Sequence, residues 1–472
     1  MPSSRPAIPW VALLAGLVAT ATAAPTRLEI DPGRTLQTIE GMGCGAIFYE
    51  GHITSLAARQ KSAEQEALYD AMFKDVRTDF LHLMIRHDHE PENDNADPYK
   101  PEFRDGWFKY CDHTLAVAKA ALARQPKMQF YATLYTPPPW MKTNNDVSAG
   151  GKERATVKPG SELELGEFCW AFLAHLHRHG VTVRYLSLCN EPDWPHTQPG
   201  YCLTAESHAT LTKKVAAYFE EMARRFPDVP KPLLVAPNTL SAVDAAKNWV
   251  PAVLKAAGPA VAVVGAHDYD RRGDRWRQLA DAAKGRPVWM TEWCVNGKDD
   301  SPAFIRSAGE FWLAMSEAFN GGATAWMAYD WVYPPRQGGE ALIHVDWGKS
   351  YHPTKIYHGY RQWCSGIEPG MKVVKTQLSG PAASDFSKPG VKACAFISAD
   401  GKNLVVHAAA VQDAAAAVQV SLRGSRSWKP VGHWRTSGSE DMAALPAPTA
   451  MRGTFDEEIP ARAMVTWTFS AP

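Results

Sequence analysis

The sequence carries no excess of either charge: 50 Lys and Arg stand against 50 Asp and Glu in 472 residues. That balance, with no block of like charge, argues against the basic face that nucleic acid requires and against a charged interaction tail. Eight cysteines are scattered without a C-x-x-C pair, which excludes the usual zinc spacings. Eight thiols allow 105 full pairings, so none is assigned, and buried free thiols are as good an expectation as bridges. Beyond the N-terminus no apolar run reaches the ~20 residues of a membrane span. A nucleotide-binding G-x-G-x-x-G is missing as well. Gly41-Met42-Gly43-Cys44-Gly45 has the glycines without that spacing into a helix, and reads as a backbone turn rather than a phosphate loop.

The N-terminus has the layout of a secretory signal. Arg5 precedes the apolar stretch Val11–Thr20, and Ala21-Thr22-Ala23 supplies small residues for cleavage. Residues 1–24 are therefore set apart from the fold, and a secreted or periplasmic location is expected. The remainder is too long for one ordinary domain. It suits a barrel of roughly 250 or more residues with a smaller domain of about 100.

Periodicity divides the chain accordingly. Short apolar strands are expected at Gly43–Phe48, Phe80–Ile85, Met128–Leu134, Val183–Leu188, Leu233–Ala236, Val261–Ala266, Pro287–Met290 and Thr324–Ala328. Between and after them run amphipathic stretches: Ala63–Lys74, Trp107–Ala123, Leu165–His179, Ala205–Phe226, Ala242–Ala257, Trp276–Lys284, Ala303–Phe319 and Thr354–Cys364. Phe168, Phe172, Leu173 and Leu176 show the three- and four-residue steps of a helix. Eight strand–helix units in succession predict an α/β fold, a (β/α)8 TIM barrel over residues 41–365. An open doubly wound sheet is the structural alternative. After Ser365 the helical period stops, and Val391–Ile397, Leu404–Ala409, Ala416–Leu422, Trp428–Thr436 and Ala463–Phe469 are strand-like runs between turns. Residues 366–472 are predicted to form an all-β sandwich, joined by a strand from residues 25–40.

In such a barrel chemistry gathers where the strands end. The run Val183–Trp194, V-R-Y-L-S-L-C-N-E-P-D-W, stops on Asn190 and Glu191, and P-V-W-M-T-E-W stops on Glu292 and Trp293. Two carboxylates across one barrel mouth are what glycoside hydrolysis requires: one protonates the leaving oxygen, the other attacks the anomeric carbon or activates water. Partial desolvation of a strand-end Glu raises its pKa toward that of a working acid. Arg86 is expected to hold Glu292 ionised and Tyr269 to donate to the same carboxylate; His267 stands on the same strand end as Tyr269. Asn190 offers an amide to a sugar hydroxyl. The 17 tryptophans are expected mostly in the core, with Trp140, Trp194, Trp293 and Trp331 as candidate sugar platforms. The run His87-Asp88-His89-Glu90 reads as solvated loop rather than metal site. Asp94, Asn95 and Asp97 are calcium-type ligands without the following Glu that a loop site needs.

Several of these segments together resemble glycoside hydrolase family 30. They are Q-T-I-E-G-M-G, T-P-P-P-W-M-K-T-N-N, N-E-P-D-W, T-E-W and Y-R-Q-W-C-S-G-I-E-P-G, in an order and spacing that cover nearly the whole mature chain. The resemblance implies a barrel with an attached β-sandwich, Glu191 as acid/base, Glu292 as nucleophile, and no metal or organic cofactor. The first turn departs from the family's usual G-F-G-G-S, reading G-M-G-C-G-A. The text around Asn190–Trp194, with Tyr201 and Cys202, is similar to the bacterial xylanase branch, which reads a glucuronate substituent with a Tyr and Arg cluster after the last strand. Here Tyr329 to Arg336 occupy that place, with Arg336 as the candidate cation. A polysaccharide or oligosaccharide partner is implied, xylan or glucuronoxylan first. β-1,6-Glucan, β-1,6-galactan, an exo-acting β-glycosidase, a transglycosylase, a non-catalytic carbohydrate-binding protein and a structural surface protein are the alternatives.

Overall fold

The computed structural model describes residues 25–334, 338–380, 390–451 and 453–472. The signal-like segment and Arg336 lie outside the described residues. Strand β1 is Thr26–Thr38; β2 to β9 are Gly41–Ala46, Phe80–Ile85, Gln129–Leu134, Val183–Ser187, Leu233–Thr239, Val261–Ala266, Val288–Trp293 and Ala325–Ala328. Strands β2 to β9 close into a barrel in chain order, every neighbouring pair parallel, with β2 returning to β9 through Gly41↔Ala325. Their composition follows from being covered on both faces: all six residues of β3 are buried. One side chain or two from each of β3 to β9 (Phe80, Tyr131, Tyr185, Val235, Val263, Trp289, Ala325 and Met327) fill the lumen as one cluster. Trp289 is its hub, 4.8 Å from the Phe80 ring and 4.6 Å from that of Tyr185. The barrel is thus a packed core beneath its rim, and the expected TIM fold is observed.

The differences from expectation lie at element ends. The glycines at 41, 43 and 45 belong to strand β2 rather than to a turn. Gly45 marks a close approach: a Cβ there would lie 1.9 Å from the Tyr329 carbonyl oxygen. Strand β8 runs three residues past its predicted end, through Glu292, with a register shift against β9 between Met290 and Trp293. The helix expected at Ala242–Ala257 contains a π-turn at Ala245–Trp249, followed by Pro251 in the first turn of the next α segment, where a missing N–H is tolerated. A helix at Glu50–Ala58 and a small sheet of β10 (Asp330–Tyr333), β11 (Ala341–Asp346) and β12 (Ser350–Pro353) follow β2 and β9; neither shows in the periodicity.

The second unit is one folded sheet. It comprises β13 (Lys372–Ser379), β14 (Val391–Ile397), β15 (Asn403–Ala410), β16 (Ala416–Leu422), β17 (Lys429–Thr436), β18 (Ala443–Ala444), β19 (Thr454–Ile459) and β20 (Met464–Ser470). The order is β18-β17-β20-β15-β14-β13-β1-β16-β19. Strand β1 lies antiparallel to β13 and parallel to β16, so the chain's first strand completes its last domain. The sheet bends until Phe455 of β19 meets Trp467 and Phe469 of β20, at 5.5 and 6.1 Å between ring centroids, enclosing an aliphatic core. Its outer face seals onto the barrel. Trp363 of helix Lys355–Cys364 stacks 4.4 Å from His407. Fully buried Gln362 donates to the Met464 carbonyl at 3.1 Å and accepts from Thr436 at 2.7 Å. All eight cysteines are buried free thiols. Among the described residues no helix is long and apolar enough to cross a membrane.

Candidate active site

Strand β5 stops at Ser187, and four residues later Glu191 takes a backbone φ of +47°. For a residue with a Cβ that conformation costs about 1–2 kcal/mol, so the surroundings must impose it. Asn238 at the end of β6 does so. Its carbonyl accepts the Glu191 N–H at 3.0 Å, and its side-chain amide donates to the Cys189 carbonyl at 3.0 Å. The same side chain accepts from the hydroxyls of Thr291 at 2.5 Å and Tyr131 at 3.2 Å. Thr291 directly precedes Glu292, so one asparagine ties together the strand ends that carry both acids. Asp193 fixes the next turn by accepting the N–H groups of Leu240 and Ser241 at 2.8 and 3.3 Å.

The two glutamates meet across the rim. Glu191, His267 and Glu292 are all buried, and one ligand atom of each lies within 4.8 Å of the other two. His267 Nδ1 shares a hydrogen bond of 2.7 Å with Glu191 Oε1 and lies 3.7 Å from Glu292 Oε1. Glu292 accepts from the Tyr135 hydroxyl at 2.5 Å and from Tyr269 at 3.1 Å. The Tyr269 hydroxyl is also 3.4 Å from Cys294 Sγ.

These surroundings separate the two acids. Burial, with the negative charge of Asp193 behind it, pushes Glu191 well above the usual carboxylate range. Burial also raises Glu292, and Glu191 adds to that, but His267 and the two tyrosine hydroxyls pull it back down. Burial lowers the pKa of His267, and the negative charges of Glu292 and Asp193 oppose that by raising it. Glu191 is raised with only burial and a like charge acting on it, while Glu292 has groups that hold it back; that ordering is the one an acid and a nucleophile need. The three side chains are close enough to share a cation. Both Glu292 oxygens, however, already accept tyrosine protons, and Glu191 shares one with His267, so the set is arranged for proton chemistry.

The other expected residues are distributed unevenly. Asn190 is buried beside Glu191, and its Oδ1 has no partner, leaving it to accept a hydroxyl. Tyr269 bonds to Glu292 as expected. Arg86 does not pair with Glu292: its guanidinium engages Asp88 at 3.1 Å and lies 5.5 Å over the Tyr110 ring, and His267 is the base next to Glu292 instead. Trp140 is half-buried, its indole donating to the Glu90 carbonyl at 3.0 Å. Trp194 is 43 % exposed, 4.3 Å from the His196 ring. Trp293 is 2 % exposed and packs on Phe311 at 5.1 Å. It borders a cavity of about 380 Å³ with Tyr269, Arg271 and Cys294. Trp331 is not a platform. It is fully buried on β10, between Phe73 at 5.9 Å and Tyr360 at 6.4 Å, because the chain turns inward after Tyr329. Tyr135 and Asn238 were not singled out in the sequence. The one signal for Tyr135 is its place immediately after β4.

No family model matches the sequence, and no curated protein matches it. Solved structures do match in shape. The catalytic domain of xylanase C from Talaromyces cellulolyticus superposes with a TM-score of 0.75 at 17% identity, over 94% of this chain and 100% of that one. A glycoside hydrolase family 30 subfamily 8 xylanase from Clostridium acetobutylicum gives 0.68 at 19%, over 94% and 100%. An endo-β-1,6-glucanase gives 0.67 at 15%, over 96% of each chain. The molecule is a TIM barrel carrying a β-sandwich, and its fold is that of the glycoside hydrolase family 30 enzymes.

Proposed function

We propose that the protein is an exported, retaining β-glycoside hydrolase that cleaves a β-linked polysaccharide, xylan or glucuronoxylan first. The observation that carries the reading is the pair Glu191 and Glu292, buried and facing each other with carboxylate oxygens within 4.8 Å. Retaining enzymes hold their carboxyl groups about 5–5.5 Å apart, while inverting ones need about 6.5–9.5 Å to admit water. Glu191 gives its proton to the glycosidic oxygen as Glu292 Oε attacks the anomeric carbon and the C–O bond to the leaving sugar breaks. Water then attacks the glycosyl-enzyme, surrendering a proton to Glu191 and releasing Glu292. His267, hydrogen-bonded to Glu191, orients that carboxyl through both steps. Asn190, with a free acceptor, takes a sugar hydroxyl. Export is supported by the apolar stretch Val11–Thr20 and its small-residue cleavage site. The xylan preference is supported by the xylanases among the proteins of like fold.

Hydrolysis of xylan, glucuronoxylan, β-1,6-glucan, β-1,6-galactan and aryl β-glycosides by the purified protein tests the substrate. Activity on β-1,6-glucan alone would move the assignment to the activity named for the endo-β-1,6-glucanase of like fold. Proton NMR of the first product tests the mechanism: an inverted anomer ends it. Glycan binding that survives intact, with no turnover, would make the protein a carbohydrate-binding module.

A further inference from the structure

A second group of acids lies away from the catalytic pair. Glu90 and Asp94 stand on the connection after β3, and Glu167 faces them from helix Glu162–Arg178. They are 4, 8 and 1 % exposed, and one oxygen of each lies within 4.8 Å of the other two. Asp94 is held in place by the Glu102 N–H at 2.7 Å and the Asn95 amide at 3.0 Å. Glu167 is the unusual member. It is almost wholly buried and points at the other two; neither of its oxygens has an N–H or hydroxyl to accept from, a fourth carboxyl, Glu164 of the same helix, standing beside it instead, and Glu90 Oε1 has no partner either. No lysine, arginine or histidine forms an ion pair with any of the three among the described residues. Arg104 pairs with Glu92 and Glu102 and donates to the Asp94 backbone carbonyl, close enough to lower Glu90 and Asp94 through space but not to ion-pair with them, and Lys214 is engaged by Glu162.

Converging carboxylates in a poorly solvated place need either protons or a cation. We propose that Glu90, Asp94 and Glu167 form a structural calcium site that fastens the connection after β3 to the helix Glu162–Arg178. The donors are all hard oxygens, and calcium takes carboxylates in a flexible geometry, whereas magnesium demands a near-ideal octahedron and keeps several of its waters. The glutamate missing from the Asp94-Asn95-Asp97 loop is supplied by a helix distant in sequence. The site would also steady a half-buried tryptophan near the cleft, since the Trp140 indole donates to the Glu90 carbonyl. His89 already links the same connection to the Phe168 carbonyl at 2.9 Å, so the ion would be a second fastening beside an existing one.

The test uses the full mature chain, stripped with EDTA and titrated with CaCl2 by calorimetry and thermal unfolding. One calcium per chain, a raised Tm, and loss of both in E167Q and in D94N are expected, with both variants melting cooperatively in EDTA. Absence of calcium uptake and of any Tm shift at about 1 mM, the weak end for extracellular calcium modules, overturns the proposal. So does uptake by E167Q equal to wild type. A Tm that rises only as pH is lowered, with or without calcium, overturns it in favour of shared protons.

Discussion

Replacing Tyr135 by Phe removes one hydroxyl and leaves the ring, which packs edge-on against Phe48 at 5.1 Å beside Ile47 and Met84. The fold should therefore persist, and what is lost is the 2.5 Å hydrogen bond to Glu292 Oε2. Hydrogen bonds to charged groups are worth about 1.5–3 kcal/mol. At 1.36 kcal/mol per pKa unit, their loss corresponds to a shift of about 1–2 units. The direction follows from which form is stabilised. The hydroxyl donates to the carboxylate and holds its pKa down, so Y135F raises the pKa of Glu292. Since Glu292 must be ionised to attack, the acidic limb of kcat/KM moves to higher pH by about 1–2 units, and turnover on that limb falls about 10- to 100-fold. Y269F should move the same limb less, because its bond is longer at 3.1 Å and its hydroxyl also contacts Cys294. A pH–rate profile of the three proteins decides the matter. An unmoved acidic limb in Y135F would mean that Glu292 is not the group ionising there, and the assignment of nucleophile would fall with it.

Glu191→Gln should lower turnover of polysaccharide by about 100- to 10,000-fold, with less effect on the first step for aryl glycosides whose leaving group needs no proton; burst kinetics distinguish the steps, and a wild-type rate on polysaccharide refutes the role. Trp331→Ala should cost about 3–5 kcal/mol in urea unfolding with KM unchanged, since the ring is fully buried; a raised KM at unchanged stability would restore it to a subsite. Stability in EDTA should fall between pH 7 and 9. Glu90 is raised to about 9 in the fold, so in that window the native state keeps a proton that the unfolded chain has released; stability from this group is full below about pH 4.5 and is lost toward pH 9. The expected loss from Glu90 alone is about 2 kcal/mol. Buried Lys142, lowered to about 8, works in the opposite sense above about pH 8 and offsets part of the loss, and buried His82, lowered to about 3, does so only below about pH 6.5; a fall from pH 7 to 9 no steeper in wild type than in E90Q would contradict the burial of Glu90.

What the sequence made legible was whatever repeats locally. Strands β3 and β7 were placed to the residue because a strand covered on both faces is an unbroken apolar run with polar or glycine-bearing flanks. The two glutamates were legible for the same reason, as the first carboxylates after such runs. What was not legible depends on register and on contacts between distant strands. Trp331 stands three residues after Ala328 just as Trp293 stands three after Met290, the two expected strand ends, and composition treats the two alike. Only the turn at Tyr329, whose N–H is bound to the Trp293 carbonyl at 2.9 Å, sends one indole into the core beneath the helices and leaves the other bordering a cavity. Arg86 was assigned by charge alone, yet Asp88 two residues away captures it before it can reach across the barrel. Asn238 is the more instructive omission. It is an uncharged residue at a strand end, with nothing around it to mark it, and it matters only because its four hydrogen bonds reach three other strands or their ends. A site built on such a residue has its acids written in the sequence and their mutual placement written in the packing. The placement, rather than the acids themselves, determines whether water fits between Glu191 and Glu292.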